Sequence, residues 1–229
     1  LVIFPTETVY GIGGNAINEN AIKLIYQVKK RPFDNPIICH FANISEIEKD
    51  FILQEKDYEL ANTFWPGPLT LILEKNKESK ITPLLSNSQN LVGCRIPNNE
   101  IAINLLSKID FPIAAPSANI ATKTSVTSIK DLDNNLKKNF YIDGGASVLG
   151  LESTVIKTTK EGCKILRLGS LTIEEIKNKF SHYKIEIIHS KVSPGNQLKH
   201  YSPNKPVRIN VKNVNENEAL LNFGKNDLI

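Results

Sequence analysis

Apolar positions along the chain follow two alternating periods. Val2 to Phe4 is a short apolar run closed by Pro5, and Ala21, Leu24, Ile25 and Val28 then recur at helical spacing. The opening therefore reads as strand, loop, helix. That helix must end near Arg31, because Pro32 disfavours helical geometry in its predecessor and donates no backbone hydrogen bond. "PIICHF" predicts a second strand. Ser45 with Glu48, and Thr172 with Glu175, have capping-box spacing, which predicts helix starts at "SEIEKDF" and "TIEEIKNKF". After the hard break at "WPGP", the runs "LTLILE", "LVGCRI", "FPIAAP", "FYIDGG", "STVIKT", "CKILRL" and "KIEIIH" alternate with helical patterns and turns. Strands interleaved with helices predict an α/β domain around a twisted, mixed sheet over residues 1–190.

Near residue 190 the pattern lapses. "SKVSPGNQLKHYSPNKP" is rich in proline and nearly free of apolar residues, so 191–204 is expected to run extended as a linker. Beyond it, "VRINVKN" and "ENEALLNF" predict a strand and a helix start, the truncated beginning of a small second α/β domain over 205–229. The chain contains no methionine and opens inside an apparent strand. The expectation is a piece of a longer polypeptide.

Composition changes this picture little. With 229 residues, 41% apolar and 23% charged, the chain has an ordinary soluble composition. No run approaches the roughly 18 to 20 apolar residues of a membrane span, and the start lacks a signal-peptide pattern, so a cytoplasmic protein without membrane association is expected. Cys39, Cys94 and Cys163 are odd in number and widely spaced, which predicts core thiols rather than a disulfide framework or zinc knuckle. A net charge of +4, not gathered into a basic arm, suits a small anionic ligand as well as RNA.

Three stretches carry candidate chemistry. In "FPTETVYGIGG", Gly11, Gly13 and Ala16 mimic a dinucleotide fingerprint, but the six residues between Phe4 and Gly11 replace its tight turn. The second strand also ends in His40 rather than a ribose-binding acid. The segment reads either as a hydroxyl-rich surface turn or as a ligand loop. In "KKRPFDNPIICH", Lys29 and Arg31 fall in the last turn of a surface helix, where they either offset the macrodipole or, with Asn35 and His40 between prolines, surround a ligand. The helix-end placement predicts that replacing either cation leaves the fold intact. In "AAPSAN", Ser117 or Asn119 either caps a helix or offers polar groups at a strand's C-terminal end, where open α/β sheets bind phosphates.

In order, "PTETVYG", Lys29 to Arg31 with "DNPIICH", "WPGPLTLIL", "VGCRIP", "AAPSAN", "IDGG", "GLESTV" and "ILRLG" closely resemble the YrdC-like threonylcarbamoyl-AMP synthases across residues 1–190. "SPGNQLKHYSP" resembles the linker of the long type. The resemblance implies the YrdC-like fold and a nucleotidyltransferase that converts L-threonine, bicarbonate and ATP into threonylcarbamoyl-adenylate and pyrophosphate. It implies L-threonine contacts at Thr8, His40, Arg95, Ala115 and Ser153, and ATP contacts at Arg31, Asn35, Leu91, Ser117, Ser125, Arg167 and Tyr201. Lys29, Arg31, Ser117 and Asn119 are implied in catalysis, with Mg2+ held through the ATP phosphates and no nucleophilic side chain. The product would pass to a tRNA threonylcarbamoyl-transfer complex, with weak RNA binding allowed. Leu168 and Lys199 depart from the family's usual proline and arginine. The alternatives are an RNA-binding module without synthase activity, against which the chain shows no aromatic RNP-like stripe, and a carbamoyl-handling domain of the hydrogenase-maturation kind.

Overall fold

The computed structural model describes residues 1–86, 90–120, 123–188, 206–209, 211 and 213–220. In chain order the elements are β1 (Val2–Phe4), β2 (Gly11–Asn15), α1 (Glu19–Lys29), β3 (Cys39–His40), α2 (Ile44–Glu48), β4 (Phe51–Ile52), α3 (Glu55–Phe64), β5 (Leu69–Lys75), β6 (Leu91–Arg95), α4 (Glu100–Ser107), β7 (Ile113–Ala114), β8 (Phe140–Tyr141), β9 (Thr154–Thr159), β10 (Gly162–Arg167), α5 (Ile173–Lys179) and β11 (Lys184–Ile187). The eleven strands form one sheet ordered β11-β10-β9-β5-β6-β3-β7-β2-β1-β8, with β4 paired to β5 off that path. Pairs β3–β6, β5–β9, β10–β11 and β1–β8 are parallel and the others antiparallel. The sheet is mixed, as the alternating periods predict.

The helices cover the sheet with the faces their spacing dictates. Ile22 and Ile25 of α1, Leu60 and Ala61 of α3 and Ile176 of α5 share one buried cluster with Leu69, Leu71, Val92, Ile156 and Ile165 of the strands. Each of the isoleucine, leucine and valine side chains contributes about 1.5–3 kcal/mol by leaving water. A separate cluster packs Ala102 and Leu106 of α4 on Phe4, Ile113 and Ala115. A third packs Ile3, Tyr10 and Ile12 against Ala118, Val126, Ile129, Leu132 and Leu136. Cys39 and Cys94 face each other in the β3–β6 register and are fully buried, and burial raises both thiols, so they are inert core residues. Among the described residues no helix is long and apolar enough to cross a membrane.

Three local readings change. Helix α2 starts from Asn43, not Ser45: Asn43 Oδ1 accepts from the Glu46 amide at 3.0 Å, while the Ser45 hydroxyl only donates to the same oxygen. The Asx cap outcompetes the serine because its acceptor reaches the third amide. The Thr172–Glu175 capping box forms as the spacing predicts. Residues 207–209, 211 and 213–220 adopt neither strand nor helix; there Arg208 grips Glu218 and the Asn213 carbonyl. The linker 191–204 lies outside the described residues.

The third change is at the opening. Gly11–Asn15 is a strand, hairpinned on β1 with Ile3 opposite Ile12. A run with three glycines hides its own period. The glycines are there for close approach: a Cβ on Gly13 would lie 2.4 Å from Ile113 Cγ2 and 2.9 Å from the Phe4 ring. Gly13→Ala is therefore expected to cost about 1–3 kcal/mol through overpacking, read as a lower urea midpoint. An unchanged midpoint would contradict this packing.

Candidate active site

Parallel strands β3 and β6 end side by side, with His40 in register with Arg95. Their carboxyl ends open into a cleft, the position where α/β sheets place ligands. The cleft, open to solvent, is lined by Thr6, Thr8, Val9, Tyr10, Gly11, Arg31, Pro36, Ile38, His40, Arg95, Ala115, Pro116, Ser117, Glu152, Ser153 and Arg167. Three guanidiniums face one carboxylate, so the walls favour anions.

The loop after β1 is a hydroxyl relay. Thr6 Oγ1 donates to the Val9 carbonyl at 2.7 Å, which leaves it to accept from the Thr8 hydroxyl at 2.8 Å and from the Thr8 and Val9 amides. Thr8 Oγ1 in turn accepts from Arg95 Nη1 at 2.8 Å. Arg95 Nε donates to the Gly67 carbonyl at 3.2 Å, and Nη2 lies 2.6 Å from Glu7 Oε1. Arg95 and Glu7 are both buried. Burial lowers the Arg95 pKa and Glu7 opposes that shift. His40 packs edge-on against Phe4, and burial followed by the Arg95 charge pushes its pKa down to about 3, so the imidazole is neutral at physiological pH. Ala115 follows β7, its amide donating to the Ile38 carbonyl.

The opposite wall is built from strand ends. Ser153 Oγ shares a 2.8 Å hydrogen bond with Thr70 and accepts from Arg167 Nη2 at 3.1 Å. Arg167 Nη1 pairs with Glu152 Oε2 at 2.7 Å, and Ser125 Oγ donates to Glu152 Oε1 at 3.0 Å. Arg31 donates to the Asn35 carbonyl, to Asn35 Oδ1 at 2.6 Å and to the Pro36 carbonyl, and burial lowers its guanidinium to about 10, leaving it charged. The side-chain oxygen of Asn35 is thus committed to orienting Arg31.

Lys29 overturns a sequence expectation. It is not at the surface but 1% exposed, and its ammonium donates to the Ser117 and Asn119 carbonyls. Lys29 continues the buried face of α1 set by Ile22, Ile25 and Tyr26, which turns it inward, and Lys30 in the αL conformation (φ 51°) then ends the helix. Burial, then the Arg31 charge, lowers its pKa to about 7. Neither Ser117 nor Asn119 caps a helix: the two side chains bond each other across the bend at 118–119, and Asn119 Nδ2 donates to the Ile120 and Lys123 carbonyls.

The structure thus brings Thr8, His40, Arg95, Ala115, Ser153, Arg31, Ser117 and Arg167 to one cleft, with Lys29, Asn35, Asn119 and Ser125 bonded to groups on or beside its walls. Leu91 stands apart, at the far end of β6 from Arg95 and opposite Glu74. Tyr201 lies outside the described residues. Reading the sequence missed Glu7 and Glu152, the buried carboxylates of "PTETVYG" and "GLESTV". Their signal was an acid enclosed by hydroxyls and apolar residues where a surface acid has no reason to sit.

Fold and cleft together define an α/β domain whose cation-lined cleft at the strand ends suits an anionic ligand. Comparison with known proteins narrows this. The family model Sua5_yciO_yrdC, described as "Telomere recombination", matches residues 1–169, and the chain belongs to that family. It is 41% identical to a threonylcarbamoyl-AMP synthase of Pyrococcus abyssi, covering 91% of this chain and 64% of the relative. Against the threonylcarbamoyl-AMP synthase of Bacillus subtilis it is 38% identical, over 91% of this chain and 62% of the relative. The crystal structure of P. abyssi Sua5 complexed with L-threonine superposes with a TM-score of 0.79 at 39% identity, covering 89% of this chain and 62% of that one. The chain spans a little under two thirds of the length of these relatives.

Proposed function

We propose that this chain is the catalytic domain of an L-threonylcarbamoyladenylate synthase. The observation that carries the reading is one cleft with two chemistries: a hydroxyl-lined corner around Arg95 beside a cationic wall of Arg31 and Arg167 backed by Lys29. The relatives' shared name, and the L-threonine in the Pyrococcus structure, support it.

In this reading the threonine carboxylate lies on Arg95, whose planar fork favours a carboxylate over a point anion. Neutral His40 accepts or donates a hydrogen bond without adding charge. The threonine nitrogen takes up bicarbonate with loss of water, giving a carbamate. A carbamate oxygen attacks the α-phosphorus of ATP, and the bond from that phosphorus to the pyrophosphate oxygen breaks. No side-chain nucleophile is required, so the protein's contribution is positioning and neutralisation of charge by Lys29, Arg31 and Arg167. Ser117, Asn119 and Ser125 hold the nucleotide, and Tyr201 of the linker contacts it. Among the described residues no three His, Cys, Asp or Glu side chains converge, and both carboxylates near the cleft are engaged by arginines. These residues fit Mg2+ only as an ion carried by the triphosphate, where it would neutralise the leaving pyrophosphate. The adenylate then serves a tRNA threonylcarbamoyl-transfer complex that modifies the adenosine beside the anticodon.

The test is pyrophosphate release from ATP. It is expected to require both L-threonine and bicarbonate. Equal release without threonine, or none with every substrate on the full-length protein, would refute the reading.

A further inference from the structure

Glu7 is the element of this cleft that its proposed ligands do not use. It does not line the cavity, yet it is buried (7% exposed) against Arg95, with Oε1 2.6 Å from Nη2. Despite that distance, Arg95 Nη2 and both Glu7 oxygens have no aligned hydrogen-bond partner among the described residues. The contact is a close ion pair between two buried groups. Glu7 thus faces Nη2, the Gly67 carbonyl takes Nε–H and Thr8 Oγ1 takes one Nη1–H, so that of the five guanidinium donors two N–H groups remain for an incoming carboxylate. The loop that carries Glu7 is itself fastened, since the Glu7 and Thr8 carbonyls accept from the Leu149 and Gly150 amides at 2.8 and 3.0 Å.

Charge makes this arrangement necessary. Arg95 shares the cleft with Arg31 and Arg167, and the nearest lining carboxylate, Glu152, already pairs with Arg167. Without Glu7, the Arg95 charge would be buried beside like charges and uncompensated, and the guanidinium would be drawn toward Glu152 or solvent. Resting on the proposed threonine reading, we propose that Glu7 is the positioning residue for the amino-acid half of the cleft: it acts only through Arg95, fixing the guanidinium plane for an incoming α-carboxylate.

The experiment is titration of L-threonine and, separately, ATP by calorimetry into the wild type, Glu7→Gln, Glu7→Asp, Arg95→Lys and the Glu7→Gln/Arg95→Lys double variant. Glu7→Gln keeps the shape and removes the charge. Threonine affinity is expected to fall at least tenfold while ATP affinity stays within twofold. The double variant is expected to bind threonine no worse than Arg95→Lys alone, because a residue that acts through Arg95 has nothing left to orient. Glu7→Asp, which retains the charge but withdraws it by one methylene, is expected to be intermediate. Wild-type threonine affinity in Glu7→Gln, additive losses in the double variant, or equal losses for both ligands would overturn the assignment. Should Glu7→Gln fail to fold, undiminished threonine affinity in Glu7→Asp would do so. A wild type that binds ATP but no threonine refutes the functional reading itself, which separates that failure from this one.

Discussion

Replacing Arg95 by leucine is expected to cut threonine-dependent pyrophosphate release by about ten- to a hundredfold and to lower the melting temperature of the domain markedly. Both effects have one cause. Arg95 is 4% exposed and its partner Glu7 is 7% exposed, so removing the cation leaves a carboxylate buried without its counter-charge. Such a break costs about 3–5 kcal/mol, on the order of 6–20 °C for a domain of this size. Catalysis loses in addition the fork for the substrate carboxylate, a charged hydrogen bond of about 1.5–3 kcal/mol or roughly ten- to a hundredfold in rate. The two losses separate in the double variant. Glu7→Gln/Arg95→Leu removes both charges and is expected to recover most of the stability, since a buried pair replaced as a unit is often neutral. It is not expected to recover threonine turnover. Scanning calorimetry of the two variants decides the point: a double variant no more stable than Arg95→Leu would show that the Glu7 charge is not what the single variant strands.

How much of this arrangement was legible in the sequence depends on the scale of the signal. The apolar run of β5 declared itself, because a strand in the middle of a sheet buries both faces. β2 did not, because its period is written in glycines whose role is the space they leave for Ile113 and Phe4. The site was legible in its residue types, whose ordered motifs resemble one family, but not in its connections. Asn35 and Arg31 are four residues apart, and their hydrogen bond lies within reach of inspection. Glu7 with Arg95, and Arg167 with Glu152, are joined only by strand order and register, and no local pattern reports which acid meets which arginine. Leu91 illustrates the converse: its motif position suggested the site, whereas the strand carries it to the opposite end of β6.

Lys29 is where a rule of local structure misled most, and it carries the last expectation. A lysine in the final turn of a helix ordinarily offsets the macrodipole at the surface, and on that basis its removal should spare the fold. Here helical spacing puts Lys29 on the buried face with Ile22, Ile25 and Tyr26, where it holds the Ser117 and Asn119 carbonyls. Lys29→Met is therefore expected to loosen the turn that presents Ser117 as well as to cut turnover by about ten- to a hundredfold. Its pKa, lowered from 10.5 to about 7, adds a signature that a passive strut would lack. The folded protein gives up this proton near pH 7 while the unfolded chain keeps it to about 10.5. The unfolded state thus binds more protons across that window, and the Lys29 contribution makes stability rise with pH there, by about 1.4 kcal/mol per unit at most. The stability gap between wild type and Lys29→Met is expected to widen from pH 7 to pH 10. A triphosphate placed beside Lys29 favours its charged form, so ATP binding at pH 8 is expected to take up a proton in the wild type and not in Lys29→Met. Calorimetric titrations in two buffers of different ionisation enthalpy measure that uptake directly. A flat stability gap together with equal proton uptake in both proteins would mean that Lys29 titrates as an ordinary amine and plays no electrostatic part beside the nucleotide.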